Sequence, residues 1–139
     1  MLDQNSIAHN CEAVVLHCID FRFNEEVNNY FDKRFPEGYD VISIAGSCKG
    51  LLNDEEHRKF LLEQFQISHR LHHPKTIALV QHEDCGAYGG SKNFSDTDAE
   101  QKFHQEEFQK AGKLLSGDFP EMDIKGYYAK LSREIATLQ

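Results

Sequence analysis

The chain has 139 residues, 40% of them hydrophobic, and a formal net charge of −8 at pH 7. That length is enough for one domain over residues 1–139 with its own core. The negative charge disfavours nucleic acid and anionic membrane surfaces as partners, because both attract basic protein faces. No apolar run approaches the roughly 20 residues that span a bilayer, and residues 1–10 lack the basic and apolar regions of a signal peptide. We therefore expect a cytoplasmic protein that does not enter a membrane.

The first half of the chain alternates short apolar runs with helix-forming stretches. Residues 13–18 are mostly apolar and include adjacent valines, which predicts a buried strand. Asn24 is a favourable N-cap for a following helix. A second strand is predicted over residues 40–45. Asn53 or Asp54 then caps a long helix, which we expect to end before the next proline.

The second half of the chain repeats this alternation. Residues 76–80 predict a third strand, and the glycine-rich stretch 86–90 after it lacks the spacing of a phosphate-binding loop. Thr97 and Glu100 form a capping box at the start of another helix. Residues 122–131 predict a last strand that turns into a short C-terminal helix.

Alternating strands and helices predict an α/β fold with a central, mainly parallel β-sheet flanked by helices. In open sheets of this kind the functional site lies beyond the carboxyl ends of the strands. Cys18 ends the first predicted strand, and His82 and Cys85 follow the third. These three side chains are therefore expected at the same edge of the sheet.

Two short motifs stand at this edge. Cys18, Asp20 and Arg22 form the pattern C-x-D-x-R, which a chain of this composition contains by chance only about 0.01 times. His82 and Cys85 belong to the pattern H-x-x-C-G, which alone is weakly specific. Chance does not readily explain why both motifs occur in one chain, each directly after a predicted strand. In a cytoplasmic protein such cysteines favour a metal or catalytic role over a disulfide.

The residue types in these motifs suit a zinc ion. Zinc accepts thiolate and imidazole ligands, and catalytic zinc sites keep three protein ligands with one open position. His82 and Cys85 can reach one ion from a single turn, while Cys18 arrives from the neighbouring strand. Asp20 and Arg22 are placed to pair, so that the carboxylate can accept a hydrogen bond beside the metal. The sequence therefore predicts Zn²⁺ as the cofactor.

C-x-D-x-R followed about sixty residues later by H-x-x-C-G resembles the β-class carbonic anhydrases. The resemblance continues at residues 44–46, where the family has Arg-Asn-Ala-Gly, and at residues 124–128, which are similar to the family's last strand. It implies reversible hydration of carbon dioxide to bicarbonate, with zinc held by Cys18, His82 and Cys85. It also implies a homodimer or a higher even oligomer, with the site at a subunit interface.

The same resemblance implies that Asp20 and Arg22 are the catalytic pair. Asp20 is either the fourth zinc ligand in a closed resting form or, in an open form, the acceptor of a hydrogen bond from zinc-bound water. Arg22 decides between the two forms by pairing with Asp20.

Departures from the family pattern bear on the substrate. Phe21 replaces the usual Ser or Ala between the Asp and the Arg, and Ser43 and Ile44 replace the usual Arg-Asn. Two alternatives therefore stay open. One is hydrolysis of a related small molecule, such as carbonyl sulfide or carbon disulfide, at the same site. The other is a non-catalytic zinc-binding protein of the same fold.

The other cysteines, and the acidic residues inside the second motif, have plainer expectations. Cys11 and Cys48 lack ligand-spaced partners and are expected to pack as small apolar residues. Glu83 and Asp84 are expected to be solvated acids of a loop. A thiol redox function would need a second cysteine at short spacing, and the sequence contains no such pair.

Overall fold

The structure is a computed structural model that describes residues 9–139. The expectation about a signal peptide falls mostly on residues 1–8, which lie outside this range. Within the described range, no helix is long and apolar enough to cross a membrane. The strands and α-helices follow in chain order: β1 (Ala13–His17), α1 (Asn24–Arg34), β2 (Tyr39–Ser43), α2 (Cys48–Leu52), α3 (Glu55–His72), β3 (Thr76–His82), α4 (Thr97–Asp118), β4 (Asp123–Ala129) and β5 (Ile135–Leu138).

The five strands form one sheet in the order β2-β1-β3-β4-β5. The first four strands in that order are parallel, and β5 is antiparallel to β4. The predicted α/β fold with a mainly parallel sheet is therefore confirmed. The register brings the carboxyl ends of the strands to one edge. His17 of β1 lies opposite Ser43 of β2, and His82 of β3 lies opposite Ala129 of β4.

Helices cover both faces of the sheet, because successive side chains of a strand point to opposite sides. Ala13 and Val15 of β1 join the aromatic-rich cluster formed with α1. Val14 and Leu16 join the cluster formed with α2, α3 and α4. Each valine or leucine side chain buried in this way stabilises the fold by roughly 1.5–3 kcal/mol. Cys48 is fully buried in the second cluster, in agreement with its expected packing role.

Of the two predicted N-caps in the first half of the chain, one is confirmed. Asn24 is the first residue of α1 rather than its N-cap, because Phe23 occupies the N-cap position and no side chain in the described range caps this end. The Asp54 carboxylate caps α3 by accepting a hydrogen bond from the backbone N–H of His57 at 2.9 Å. α3 ends at His72, two residues before Pro74, as expected for a helix that meets a proline.

The C-terminal helix predicted at the end of residues 122–131 is wrong. β4 ends at Ala129, and the chain turns back into β5. The backbone N–H of Lys130 donates to the carbonyl of Glu134 at 2.9 Å and closes the turn. The strand forms because it pairs with the outer edge of β4 and buries Leu138 in the core, whereas a helix would leave that edge unpaired.

The capping box predicted from Thr97 and Glu100 is also wrong. Asp96 caps α4 instead, by accepting a hydrogen bond from the backbone N–H of Ala99 at 2.8 Å. Glu100 points into the protein and is 1% exposed. Its carboxylate binds the loop before α4 rather than the end of the helix.

The short helix α2 has no counterpart among the predicted elements, because five residues are too few for a helical pattern. Gly50 lets α2 pack closely: a Cβ there would lie 3.0 Å from Leu61 Cδ1 and 3.2 Å from Ile44 Cδ1. The loop between β2 and α2 lies against the end of β1. There the backbone N–H of Gly46 donates to Cys18 Sγ at 3.4 Å.

Candidate metal centre

Cys18, His82 and Cys85 lie together at the carboxyl edge of the sheet. Their ligand atoms are all within 4.8 Å of one another, and all three residues are buried. Cys18 directly follows β1, His82 is the last residue of β3, and Cys85 lies in the turn after it. This is the edge and the set of residues that the two motifs predict as a metal site.

The turn that carries Cys85 is held by unusual backbone conformations. Asp84 adopts a left-handed φ of 58°, and Gly89 and Gly90 adopt φ values of 88° and 78°. The backbone N–H of Gly90 donates to the carbonyl of Cys85 at 2.9 Å. Asp84 Oδ1 accepts a hydrogen bond from the backbone N–H of Ser91 at 2.8 Å. The glycine-rich stretch therefore folds the chain back on itself and fixes Cys85.

His82 offers a nitrogen atom that no described residue satisfies. Its Nδ1 lies 2.7 Å from the carbonyl oxygen of Glu83, so this nitrogen carries the proton and donates. Its Nε2 is buried and has no hydrogen-bond partner among residues 9–139. An unprotonated imidazole nitrogen beside two cysteine sulfurs is a fitting ligand for zinc, and the carbonyl on the other nitrogen orients the ring.

A hydrogen bond joins the sulfur atoms of Cys18 and Cys85, and it shifts the pKa of both thiols. The Cys85 thiol donates to Cys18, and together with the backbone N–H of Gly46 it holds the pKa of Cys18 well below its usual range. The same hydrogen bond, together with burial, raises the pKa of Cys85. A divalent metal would take the place of the shared proton, because metal binding releases protons from thiols.

Asp20 and Arg22 are in direct contact beside the cluster. Arg22 Nη2 donates to Asp20 Oδ2 at 2.7 Å, and Arg22 Nε donates to Asp20 Oδ1 at 3.1 Å. A single 3₁₀ turn over Phe21–Phe23 brings them together. The hydrogen bond from Arg22 lowers the pKa of Asp20. Asp20 Oδ2 lies 3.8 Å from His82 Nε2, at the boundary of the metal cluster.

Asp84 is a second partner of Arg22, which corrects the expectation that it is a solvated loop acid. Arg22 Nη1 donates to Asp84 Oδ2 at 3.1 Å, and Nη2 donates to the Asp84 carbonyl at 2.9 Å. Glu83 also has a partner, since its carboxylate accepts the backbone N–H of Leu131 at 2.9 Å. The position of Asp84 next to Cys85 was the only sequence signal for its role.

Glu100 fixes the loop from inside the protein. Its Oε2 accepts the backbone N–H of Asp84 at 2.8 Å, and its Oε1 accepts the Ser91 hydroxyl at 2.8 Å. A buried carboxylate with two such donors is anchored firmly. The hydrogen bonds therefore run from Glu100 through Asp84 and Arg22 to Asp20.

A second buried polar network lies on the other side of β3. Gln81 accepts the backbone N–H of Cys48 at 3.0 Å and donates to His104 Nδ1 at 3.0 Å. The Tyr88 hydroxyl donates to Glu107 at 3.1 Å. Burial lowers the pKa of His104 to about 4. The signal for this network is the spacing of His104 and Glu107 three residues apart, which places them on one side of α4.

A cavity of about 510 Å³ opens beside the metal cluster. Apolar groups dominate its rim, where Ile19 is 62% exposed and Phe21 is 82% exposed. Its lining residues are Cys18, Ile19, Asp20, Phe21, Arg22, Ala45, Gly86 and Ala87.

Residues 8–139 match the protein family described as "Putative carbonic anhydrase". Two curated relatives are 25% identical over 118 residues, which is 81% of this chain. Both carry the description "Uncharacterized protein"; one is from Rickettsia bellii and the other from Rickettsia conorii. The chain covers 72% of the first relative and 63% of the second.

Solved structures with the same fold include two carbonic anhydrases. The carbonic anhydrase from Glaciozyma antarctica aligns over 99% of this chain and 89% of its own length, with a TM-score of 0.65 and 15% identity. The β-carbonic anhydrase isoform I from Trichomonas vaginalis aligns over 99% and 86%, with a TM-score of 0.50 and 17% identity. At these identities the likeness concerns the fold. The family match confirms the resemblance carried by the two motifs, and the chain belongs to this carbonic anhydrase family as a divergent member with the β-class fold.

Proposed function

We propose that the protein binds Zn²⁺ through Cys18, His82 and Cys85 and catalyses the reversible hydration of carbon dioxide to bicarbonate. The observation that carries this proposal is the buried Nε2 of His82, which lies beside two cysteine sulfurs and has no hydrogen-bond partner within residues 9–139. A buried polar atom without a partner costs stability. A metal ion would satisfy it, and the donor set is one that zinc accepts.

Asp20 is the group placed to orient the nucleophile. Bound zinc supplies a water molecule activated at neutral pH. As an ionised carboxylate Asp20 can only accept hydrogen bonds, and its Oδ2 is 3.8 Å from His82 Nε2. It would therefore accept a hydrogen bond from the attacking group and so turn a lone pair of that group's oxygen towards carbon dioxide.

Arg22 holds Asp20 in that position. It makes hydrogen bonds to both carboxylate oxygens of Asp20, and its far end is held by Asp84. This arrangement supports the open form, in which Asp20 accepts from the nucleophile. In the closed form Asp20 would leave Arg22 to become the fourth metal ligand.

The cavity beside the cluster suits a small apolar substrate that arrives from solvent. Ala45 and Ala87 line it, and Ile19 and Phe21 stand at its rim. Large apolar side chains this exposed are typical of an interface. We propose a homodimer or a higher even oligomer in which the partner subunit covers this rim. A cytoplasmic location belongs to the same proposal.

A second candidate activity is hydrolysis of carbonyl sulfide or carbon disulfide at the same centre. Phe21 favours it, because this residue stands at the cavity rim where the family has Ser or Ala and would change what enters. A non-catalytic zinc protein is the remaining alternative, with Asp20 permanently on the metal.

The three functions are separated by stopped-flow assays on the zinc-loaded protein with each substrate. We expect carbon dioxide hydration that rises with pH and disappears when zinc is removed by a chelator. Hydrolysis of carbonyl sulfide without carbon dioxide hydration would favour the second candidate. Bound zinc with neither activity at any pH would favour the non-catalytic alternative.

A further inference from the structure

A second cluster of potential metal ligands lies at the amino edge of the sheet. Cys11 precedes β1, Asp40 is the second residue of β2, and His72 is the last residue of α3. Their ligand atoms are within 4.8 Å of one another. Cys11 and Cys18 stand at opposite ends of β1, seven residues apart, which places them roughly 20 Å from each other. The two clusters therefore cannot share one ion.

The fold itself holds these three residues together. The backbone N–H of Cys11 donates to the carbonyl of His72 at 2.9 Å. Asp40 Oδ2 lies 2.6 Å from His72 Nδ1 and also accepts the Ser68 hydroxyl at 2.6 Å. The Cys11 thiol donates to the carbonyl of Ala13 at 3.3 Å, which leaves the sulfur lone pairs free. The expected packing role for Cys11 does not account for these neighbours.

The cluster also has room for an ion. Cys11, Asp40 and His72 are only partly buried, and they line a cavity of about 190 Å³. His9 lines the same cavity, and its ring centroid is 4.8 Å from that of His72. The fourth position on an ion would fall to a water molecule, or to the His9 imidazole if its ring moved into the cluster.

We propose that Cys11, Asp40 and His72 form a second zinc-binding site, separate from the centre at Cys18. One thiolate and one carboxylate neutralise a divalent ion, and the imidazole completes a set of three ligand types that zinc accepts. A thiolate ligand disfavours magnesium and calcium, which prefer oxygen. Donor atoms on tetrahedral zinc lie roughly 3.3 to 3.5 Å apart, so binding would replace the 2.6 Å contact between His72 Nδ1 and Asp40 Oδ2.

Zinc at this site would tie three chain segments together. It would join the stretch before β1 to the start of β2 and to the end of α3. A ligand that binds only the folded state raises stability in proportion to the logarithm of its concentration. The site therefore acts on the stability of the fold, and the proposal does not depend on carbon dioxide hydration.

The test is metal stoichiometry in the full chain, purified without metal under reducing conditions and titrated with Zn²⁺ against a chromophoric competitor. We expect two equivalents in the wild type and one in each of Cys11→Ser, Asp40→Asn and Cys85→Ser. The double variant Cys11→Ser/Cys85→Ser should bind none. His57→Ala serves as a matched control, because its imidazole is exposed and lies outside both clusters, and it should bind two.

A Cys11→Ser variant that binds as many equivalents as the wild type would overturn the proposal. A single wild-type equivalent that Cys11→Ser keeps and Cys85→Ser loses would overturn it as well. A second readout uses Cys85→Ser, in which the Cys11 site alone is intact. Added zinc should raise its melting temperature by several degrees. The same addition should leave Cys11→Ser/Cys85→Ser unchanged, and equal shifts in both would overturn the site as well.

Discussion

The two ends of β1 place cysteines in different surroundings. Cys18, after the strand, is buried with His82 and Cys85 in a cluster closed by tight turns. Cys11, before the strand, is partly buried and faces a small cavity with two ligands of other types. The protein therefore fixes the positions of the ligands at the Cys18 end. At the Cys11 end the ion itself would have to draw the ligands into their final positions.

The supporting hydrogen bonds differ in the same way. At the Cys18 end they run from Glu100 through Asp84 and Arg22 to Asp20. At the Cys11 end, within the described residues, the Ser68 hydroxyl is the side-chain donor that supports Asp40 apart from His72. Layers of this kind hold reacting groups in place. The Cys18 end therefore suits chemistry, whereas the Cys11 end suits the joining of chain segments.

The largest effect is expected when a metal ligand at the Cys18 end is removed and the Cys11 end is left intact. Cys85→Ser removes one of two thiolates, so zinc should leave that centre and carbon dioxide hydration should fall by about 10³-fold or more. Stopped-flow rates and zinc content measured on the same sample check this. His57→Ala should keep both. A Cys85→Ser variant with wild-type activity would mean that the ligands are misassigned.

Arg22→Ala should keep zinc but lower turnover by about 10²-fold or more. Without its partner the Asp20 carboxylate is free to move onto the metal and close the open position. Asp20→Ala should also keep zinc, because three protein ligands remain, but it should leave the position open. A crystal structure of each zinc-loaded variant separates the two cases: carboxylate on zinc in the first and not in the second. Full activity in Arg22→Ala would make the pair merely structural.

The buried network behind the Cys18 end should appear in the pH dependence of stability. Burial lowers the pKa of His104 to about 4, from an ordinary value of 6.5. The unfolded chain therefore takes up a proton that the folded chain refuses. The free energy of unfolding is therefore unaffected by His104 above about pH 6.5. It falls as the pH is lowered towards 4, by about 3 kcal/mol in all.

His104→Gln should remove that dependence while other groups titrate as before. Urea unfolding of both proteins at several pH values measures the difference. The free energy of unfolding of the wild type should fall more steeply between pH 6.5 and 4 than that of the variant. Parallel curves would show that His104 does not resist protonation in the folded state.

The smallest effect is expected when the contact between Asp84 and Arg22 is weakened. Asp84→Asn keeps a side-chain acceptor but removes its charge, so Arg22 should hold Asp20 less firmly. We expect turnover to fall about tenfold with zinc content unchanged. Steady-state hydration rates check this, and an unchanged rate would show that the contact between Asp84 and Arg22 does not position the pair.

The mainly parallel sheet, the three long helices and the position of the Cys18 cluster could be predicted because their signals are local. Apolar runs mark the buried strands, and the Asp54 cap marks the start of α3. His82 and Cys85 stand three residues apart in one turn, so their spacing alone indicates a shared ion. The parallel order of strands then places Cys18 beside them.

What could not be predicted depends on residues that are distant in sequence. Cys11, Asp40 and His72 come from three separate segments with no short spacing, so no motif marks them. Glu100 fits a capping box in sequence but turns inward, because buried N–H and hydroxyl donors of the loop compete for its carboxylate. β5 forms through pairing with β4, which a local pattern does not report.

The most direct test of the central claim is zinc X-ray absorption of Cys11→Ser, which isolates the centre at Cys18. The spectrum should show two sulfur ligands at about 2.3 Å and two nitrogen or oxygen ligands at about 2.0 Å. One of the lighter ligands should fit as imidazole. A zinc shell with one sulfur or none would contradict the assignment of Cys18, His82 and Cys85 as the metal ligands.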